Sequence, residues 1–178
     1  MELGKKIQRA QAIIRSFDGT RRARLLAICL EIQRAQAALN QAAEPFFEVC
    51  IEQCKGLCCR NICINEVITQ LDLIYILTLH KEIVGQMEKC ARAETLFSAD
   101  CLFLQNRKGP CIFGPDAKPE RCIITFCQDT RPIKAQIKTV RSKFSKLSRY
   151  TLFQRPFLGI RLPQRCKSRR ASASRRQG

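Results

Sequence analysis

The chain has 178 residues, of which 46% are hydrophobic, and it carries 32 lysine and arginine residues against 15 aspartate and glutamate residues. This apolar content is enough to form a core, which excludes a wholly disordered chain. Twelve cysteines but a single histidine are present. Sites built from several imidazoles are therefore excluded, and cysteine is the abundant chemistry.

The cysteines are interpreted according to the cellular compartment that we expect for the chain. The N-terminus has no continuous apolar stretch, because Lys5, Lys6 and Arg9 interrupt it, so a signal peptide is not predicted. The most apolar segment, residues 71–79, contains Asp72 and is too short to span a bilayer. We therefore expect a soluble cytoplasmic protein. In a reducing cytosol, clustered cysteines more often bind metal than form disulfides.

The basic charge and the cysteines occupy different parts of the chain. Residues 1–45 have a net charge of +4, residues 46–130 have −2 and contain ten of the twelve cysteines, and residues 131–178 have +15 with no acidic residue. We predict a helical hairpin at 1–45 and a cysteine-cluster metal-binding domain at 46–130. A basic amphipathic helix with an extension is predicted at 131–166, followed by a disordered tail at 167–178.

Two helices are predicted before Pro45. Apolar residues recur at helical spacing in two segments that are separated by a turn at Asp18 and Gly19, and Pro45 ends the second segment. Their predicted buried positions are Leu3, Ile7, Ala10 and Ile14 in the first helix and Leu25, Ile28, Cys29, Ile32, Ala35 and Leu39 in the second. We expect the pair to form a hairpin that covers the cysteine-rich region or makes an oligomer contact.

A third helix is predicted from Thr69 to Met87 at the centre of the cysteine-rich region. Thr69 and Asp72 have the spacing of a near capping box. His80 falls on the broad apolar face of this helix and is predicted to be a core or surface residue rather than a metal ligand. The proline- and glycine-rich residues 98–132 are predicted to form irregular loops.

The last predicted helix begins near Pro132, a residue that is favoured at helix N-termini. Its apolar stripe consists of Ile133, Ile137, Val140, Phe144, Leu147 and Thr151, and basic residues occupy the other faces. The predicted fold class is therefore mainly α, with an irregular cysteine-rich domain around a central helix and a basic helix at the C-terminal end.

Eight cysteines form two groups on either side of the third helix. Thiolates are soft, charged donors, and four of them complete the shell that Zn(II) or an iron of an iron-sulfur cluster prefers. We predict that the metal ligands are Cys50, Cys54, Cys58 and Cys59 in the first group and Cys101, Cys111, Cys122 and Cys127 in the second. Cys63 is an alternative to Cys50.

The adjacent cysteines Cys58 and Cys59 favour one of the two candidate metals over the other. The side chains of Cys58 and Cys59 diverge in most backbone conformations, which favours two metal centres or two irons of one cluster over one compact zinc shell. The cysteines outside both groups, Cys29, Cys90 and Cys166, are predicted to be small buried hydrophobic residues.

Four local motifs carry a resemblance to a known family. They are Cys54 to Cys59, Asp100-Cys101-Leu102-Phe103-Leu104, Gly109-Pro110-Cys111-Ile112-Phe113 and Lys118-Pro119-Glu120-Arg121-Cys122. Over about residues 50–127 the chain resembles the bacterial and archaeal YkgJ-like proteins, a zinc- or iron-chelating domain family. It departs from the family pattern in the three-residue spacers of the first cluster, in Lys118 instead of arginine and in Ile123 instead of a basic residue. The resemblance implies an iron-sulfur cluster or Zn(II) as the cofactor.

Three functions remain open from the sequence. The bound metal is structural, or it serves a redox or modifying enzyme, although no catalytic constellation is recognisable in the chain. The basic C-terminal helix binds nucleic acid or an acidic protein partner, or it docks on the chain's own metal domain. The cations predicted to bind anions are Lys134, Lys138, Arg141, Lys143, Lys146 and Arg149, with Phe144, Tyr150, Phe153 and Phe157 available to stack on bases.

Overall fold

The computed structural model describes residues 2–47, 67–92, 101–105, 111–115, 117–126 and 128–153. Within these ranges the chain is mainly helical, as predicted. The helices are α1 (Glu2–Arg15), α2 (Gly19–Ala42), α3 (Gln70–Leu79), α4 (Val84–Arg92), α5 (Glu120–Ile124) and α6 (Lys134–Phe153). No helix in the described part of the chain is long and apolar enough to cross a membrane.

The first two helices have the predicted starts, ends and buried faces. Asp18 caps the N-terminus of α2 by accepting a hydrogen bond from the backbone N–H of Arg21, and the helix ends before Pro45. Every position predicted for the two apolar stripes is buried. The helix α1 packs chiefly against α3 and α4, whereas α2 packs chiefly against α6 and α3. The two helices of the predicted hairpin therefore have different main partners.

Helix α3 lies at the centre of the described fold. Its residues from Asp72 to Leu77 are all buried, so that every side of this part of the helix faces other elements. The ring of Tyr75 meets that of Phe144 edge to face, with centroids 5.4 Å apart. One continuous core thus joins residues from the predicted hairpin, the cysteine-rich segment and the basic helix.

The predicted third helix is interrupted at His80. Its backbone dihedral angles there, φ −125° and ψ 71°, are not helical, and a 3₁₀ turn over Lys81–Ile83 precedes α4. A single helix from Thr69 to Met87 was therefore the wrong prediction. The break falls at two exposed residues, Lys81 and Glu82, and packing against the core resumes beyond them at Ile83, Val84 and Met87.

Asp72 is a buried carboxylate that binds the N-terminal ends of two helices. Its Oδ2 accepts hydrogen bonds from the Thr69 backbone N–H at 2.8 Å and from the Thr69 hydroxyl at 2.7 Å, which completes the predicted capping box of α3. Its Oδ1 accepts a hydrogen bond from the Glu120 backbone N–H, at the start of α5, at 2.7 Å. Burial raises the pKa of Asp72, and these hydrogen bonds lower it.

The basic helix α6 docks antiparallel on α2. Its six predicted apolar positions are all buried. Pro132 lies in a 3₁₀ turn, Arg131–Ile133, that leads into α6, in agreement with the prediction of a proline near the helix N-terminus. The hydroxyl of Tyr150 donates to the carbonyl of Arg21 at 2.8 Å. The basic helix thus docks within the chain, but its main partner is α2 of the N-terminal segment, whereas the alternative drawn from the sequence was docking on the metal domain at 46–130.

Glu31 on α2 binds two lysines of α6. The Lys146 ammonium donates to both Glu31 carboxylate oxygens, at 2.7 and 2.8 Å, and the Lys143 ammonium donates to one of them at 3.0 Å. These hydrogen bonds lower the pKa of Glu31 from 4.5 to about 2. Lys143 and Lys146 therefore neutralise a carboxylate of the chain itself.

Replacing Asp72 with alanine should destabilise the fold strongly. The buried N–H of Glu120 and the two donors of Thr69 would lose their acceptor, and we expect the free energy of unfolding to fall by about 3 kcal/mol or more. Denaturant unfolding followed by circular dichroism measures this change. The matched control is Asp129→Ala, which removes an exposed carboxylate paired with Arg131 and should cost less than about 1 kcal/mol. Equal effects of the two substitutions would contradict the role given to Asp72.

The Glu31 ion pairs should contribute to stability in a defined pH window. Because the pKa is lower in the folded state, the contribution is present above pH 4.5 and is lost as the pH falls from 4.5 towards about 2. Glu31→Gln should therefore reduce the free energy of unfolding at pH 6, and the difference from wild type should shrink through that window. Unfolding curves over a pH series test this, with the exposed Glu44→Gln as control. A pH-independent difference would contradict the prediction.

Candidate functional site

Two of the predicted metal ligands, Cys101 and Cys111, lie in one locally folded loop. The backbone N–H of Leu104 donates to the carbonyl of Cys101 at 3.1 Å, which forms a turn. An isolated antiparallel bridge pairs Leu104 with Cys111, and the N–H of Ile112 donates to the carbonyl of Phe103 at 2.8 Å. Residues 101–104 thus run beside residues 111–113, although residues 106–110 between them lie outside the described ranges.

Aromatic packing fixes this loop on the core. The rings of Phe103 and Phe113 meet at a steep angle with centroids 4.8 Å apart, and both side chains are buried. These residues follow Cys101 and Cys111 by two positions each. This packing therefore fixes the backbone positions of Cys101 and Cys111 relative to the core.

Burial and nearby backbone N–H groups act in opposite directions on the pKa values of both thiols. Burial raises the pKa of Cys101 to about 11, and the backbone N–H groups of Phe103 and Leu104 act in the opposite direction. Burial also raises the pKa of Cys111, while the N–H of Phe113 and the Lys118 ammonium lower it. Such N–H donors stabilise a thiolate, and metal-bound sulfurs are tuned by the same kind of hydrogen bond.

Polar side chains of α2 hold the segment that leads to Cys122. The amide of Gln36, which is fully buried, donates to the Lys118 carbonyl at 2.7 Å and accepts from the Lys118 N–H at 3.1 Å. The amide of Asn40 donates to the Pro115 carbonyl at 2.6 Å. Together with the bond from Asp72 to α5, these contacts position Cys122, which is half-buried within α5.

Three of the eight predicted ligands lie in the described part of the chain: Cys101, Cys111 and Cys122. The other predicted ligands, and the alternative Cys63, lie outside the described residues; they are Cys50, Cys54, Cys58, Cys59 and Cys127. The five described cysteines form no disulfides. In the same ranges, no three cysteine, histidine, aspartate or glutamate side chains form a group that could hold a metal ion by themselves.

The cysteines predicted to be isolated differ from one another. Cys29 is fully buried, as predicted, and burial raises its pKa to about 12. Cys166 lies outside the described residues. Cys90 is only partly buried and packs against the edge of the core, and burial raises its pKa.

The histidine has a local partner. The Nδ1 of His80 lies 3.1 Å from the Glu82 carboxylate, and the imidazole is 30% exposed. It is thus a residue at the end of α3 rather than on its apolar face, and no described metal-binding group includes it.

The basic helix divides its predicted anion-binding residues into two sets. Lys143 and Lys146 are bound to Glu31, whereas the other four are exposed: Lys134, Lys138, Arg141 and Arg149. These four positions follow one another at intervals of four, three and eight residues, which places them along one stripe of the helix. We call this set the basic stripe.

Two of the four aromatic residues predicted to stack on bases pack against other parts of the fold. Phe144 is in the core, and Tyr150 packs edge to face on Phe17 with centroids 5.9 Å apart. Phe153 is 83% exposed at the end of α6, and Phe157 lies outside the described residues. Base stacking by Phe144 is therefore contradicted, because the ring is enclosed by the helices around it.

Comparison with known proteins gives no relative for this chain. No family model, no curated protein and no solved structure matches it. The site is therefore interpreted from its own residues.

Proposed function

We propose that the chain is a metal-binding protein in which clustered cysteines hold an iron-sulfur cluster or Zn(II). The observation that carries this proposal is the loop of Cys101 and Cys111. An isolated antiparallel bridge between Leu104 and Cys111 holds the short segment that begins at Cys101 beside the segment that begins at Cys111. The resemblance to YkgJ-like proteins supports the same function.

The donor set fits a metal that prefers thiolates. Burial favours neutral thiols at Cys29, Cys101 and Cys111, because it raises the pKa of each. A cation would supply the positive charge that a buried thiolate requires. Bound metal would hold the sulfurs together, and a cluster would add the capacity for electron transfer.

The proposed remaining ligands are the cysteines predicted from the sequence. Four thiolates complete a Zn(II) shell or one iron-sulfur cluster, so Cys101, Cys111 and Cys122 need at least one further donor. The proposed first group, Cys50, Cys54, Cys58 and Cys59, together with Cys127, provides such donors. The adjacent Cys58 and Cys59 favour a cluster over one zinc shell.

Anaerobically purified protein should contain tightly bound metal that depends on Cys101. A broad visible absorbance with iron and acid-labile sulfide in the sample identifies a cluster, and zinc in a colourless protein identifies Zn(II). Elemental analysis and the visible spectrum measure both. Cys101→Ser should lose most of the bound metal, whereas the control Cys29→Ser, at a cysteine buried in α2, should keep it.

Two results would contradict the proposal. One is wild-type protein that binds neither iron nor zinc after anaerobic reconstitution with iron and sulfide or with zinc. The other is equal metal content in Cys101→Ser and wild type, with both folded by circular dichroism.

The basic stripe favours a second function, binding of nucleic acid. Its four cations are exposed along α6, and the helix carries no acidic residue between Lys134 and Phe153. The α-helical rise of ~1.5 Å per residue places Lys134 and Arg149 roughly 22 Å apart, so the stripe can meet several phosphates. Lys143 and Lys146 are excluded from this role because Glu31 binds them.

Removal of the basic stripe should weaken nucleic-acid binding in a salt-dependent way. The fourfold variant carries Lys134→Gln, Lys138→Gln, Arg141→Gln and Arg149→Gln. If each cation meets one phosphate of a duplex, the slope of log affinity against log salt should fall by about 3 to 4. Fluorescence anisotropy with labelled double-stranded RNA and DNA over a salt series measures this slope for the full chain.

The matched control removes four exposed cations from other elements, with Lys5→Gln, Arg9→Gln, Arg15→Gln and Lys81→Gln. These residues lie on α1 and beside α4, and the net charge of the two variants is identical. Equal salt slopes in the two variants would show that only total charge matters and would contradict a binding surface on α6.

A further inference from the structure

A cavity of about 440 Å³ opens where the ends of several helices meet. Its lining comes from the end of α1, the start of α2, the end of α3 and the segment that leads into α4. The interruption at His80 contributes to the wall, because Leu77 lies before it and Lys81 and Val84 lie after it. Small-molecule sites have volumes of roughly 300–1,000 Å³, so this cavity is large enough for a small organic ligand.

The floor of the cavity is apolar. Ile14 of α1 and Leu77 of α3 belong to the core and are only 9% and 2% exposed. Val84, at the start of α4, packs partly buried against the same core. Each CH₂ group of a ligand that moves from water onto such a surface strengthens binding by about fourfold. The floor therefore favours a ligand with an apolar chain.

Three cations surround this apolar floor. They are Arg15 in the last turn of α1, Arg22 in the first turn of α2 and Lys81 beyond the end of α3, and all three are exposed. None of the seven lining residues is acidic. Among the ion pairs of the described residues, none includes any of the three. The rim of the cavity is therefore positively charged.

The acids closest to these cations in the sequence have other partners. Asp18 accepts a hydrogen bond from the backbone of Arg21 and pairs with its guanidinium at 3.5 Å. Glu82 lies 3.1 Å from the Nδ1 of His80. The positive rim is thus not explained by ion pairs with its neighbours in sequence.

Helix dipoles explain only part of the positive rim. A cation in the last turn of a helix, such as Arg15, is favoured by the helix dipole, whereas one in the first turn, such as Arg22, is disfavoured. The guanidinium of Arg22 donates to the Phe17 carbonyl at 3.5 Å. A guanidinium has five N–H donors, so this one bond does not use them all.

We propose that the cavity binds a small carboxylate with an apolar chain, of the class of medium-chain fatty acids. The chain lies on the floor of Ile14, Leu77 and Val84, and the carboxylate is held by the cations of the rim, since arginine binds carboxylates through paired hydrogen bonds. A bare anion would leave the apolar floor in water, and a neutral chain would leave the cations without a partner. No cysteine lines the cavity, so this function is independent of the proposed metal centre.

The first experiment compares four probes on the wild-type full chain by isothermal titration calorimetry. Octanoate should bind saturably with one site per chain. Butyrate, which lacks four CH₂ groups, should bind at least roughly tenfold more weakly. Octanol, which lacks the charge, should also lose roughly tenfold or more, because hydrogen bonds to charged groups are among the stronger ones. Inorganic phosphate should bind more weakly than octanoate.

The second experiment removes the cations of the rim. The threefold variant Arg15→Gln, Arg22→Gln and Lys81→Gln should weaken octanoate binding by roughly tenfold or more. The matched control carries Lys5→Gln, Arg9→Gln and Lys89→Gln, which remove three exposed cations outside the cavity and leave the same net charge. The control should bind octanoate as wild type does. Circular dichroism checks that both variants are folded.

A further variant places a negative charge at the apolar floor. Val84→Asp should abolish octanoate binding by repelling the carboxylate, while an acidic residue in the first turn of α4 is compatible with the helix dipole.

Four results would overturn the proposal. They are no saturable binding of octanoate to wild type, equal affinities for octanoate and octanol, binding of phosphate as tight as that of octanoate, and equal loss of affinity in the rim variant and its control. The first result leaves no site for such a ligand. The second shows a purely apolar site, the third a site for bare anions, and the fourth an effect of net charge alone.

Discussion

The hydrogen bonds of Asp72 are the constraint that connects the central helix α3 to α5, the described helix that carries a predicted metal ligand. One carboxylate oxygen closes the first turn of α3, and the other receives the first N–H of α5, the helix that carries Cys122. A buried carboxylate is costly unless donors surround it, and here N–H and O–H donors do so. Since Asp72 lies on the central helix, this one side chain fixes the distance between the core and the segment 117–124.

Helix α2 makes the complementary connection. Glu31 binds the basic helix through Lys143 and Lys146. About one and a half turns further along α2, Gln36 forms two hydrogen bonds with the backbone of Lys118. Both contacts use the same helix, so the most basic segment and the cysteine-rich segment meet through it. The basic segment and the cysteine-rich segment are separate along the sequence, but in the fold both contact α2.

How far the sequence predicts this arrangement depends on the range of the interaction. The buried stripes of α1, α2 and α6 were predictable, because their periodicity reflects burial within one helix. The capping box of Thr69 and Asp72 was predictable for the same reason, since its partners are three residues apart. The bonds of Gln36 to Lys118 span 82 residues, and the bond of Asp72 to Glu120 spans 48, so no local pattern contains them. The break at His80 was missed because the apolar pattern continues across it, with Ile83, Val84 and Met87 packed on the core beyond the break.

The difference between local patterns and contacts that are distant in sequence applies to the candidate site as well. The motifs around Cys101, Cys111 and Cys122 are local patterns, and metal binding by these cysteines stays a prediction. Cys90 was predicted to be a buried residue, but it is only partly buried at the edge of the core, and no local pattern indicated this. In a fold without disulfides among the described cysteines, the grouping of thiols is set by tertiary contacts, and spacing in the sequence gives only part of it.

These contacts also limit what a bound metal must contribute to folding. A metal that alone ordered residues 98–130 would be required for the whole segment to fold. The described part of this segment is instead held by Gln36, Asn40 and Asp72, and by the paired rings of Phe103 and Phe113. None of these contacts uses a cysteine side chain. A metal at Cys101, Cys111 and Cys122, as proposed, would therefore be one of several interactions that order this segment.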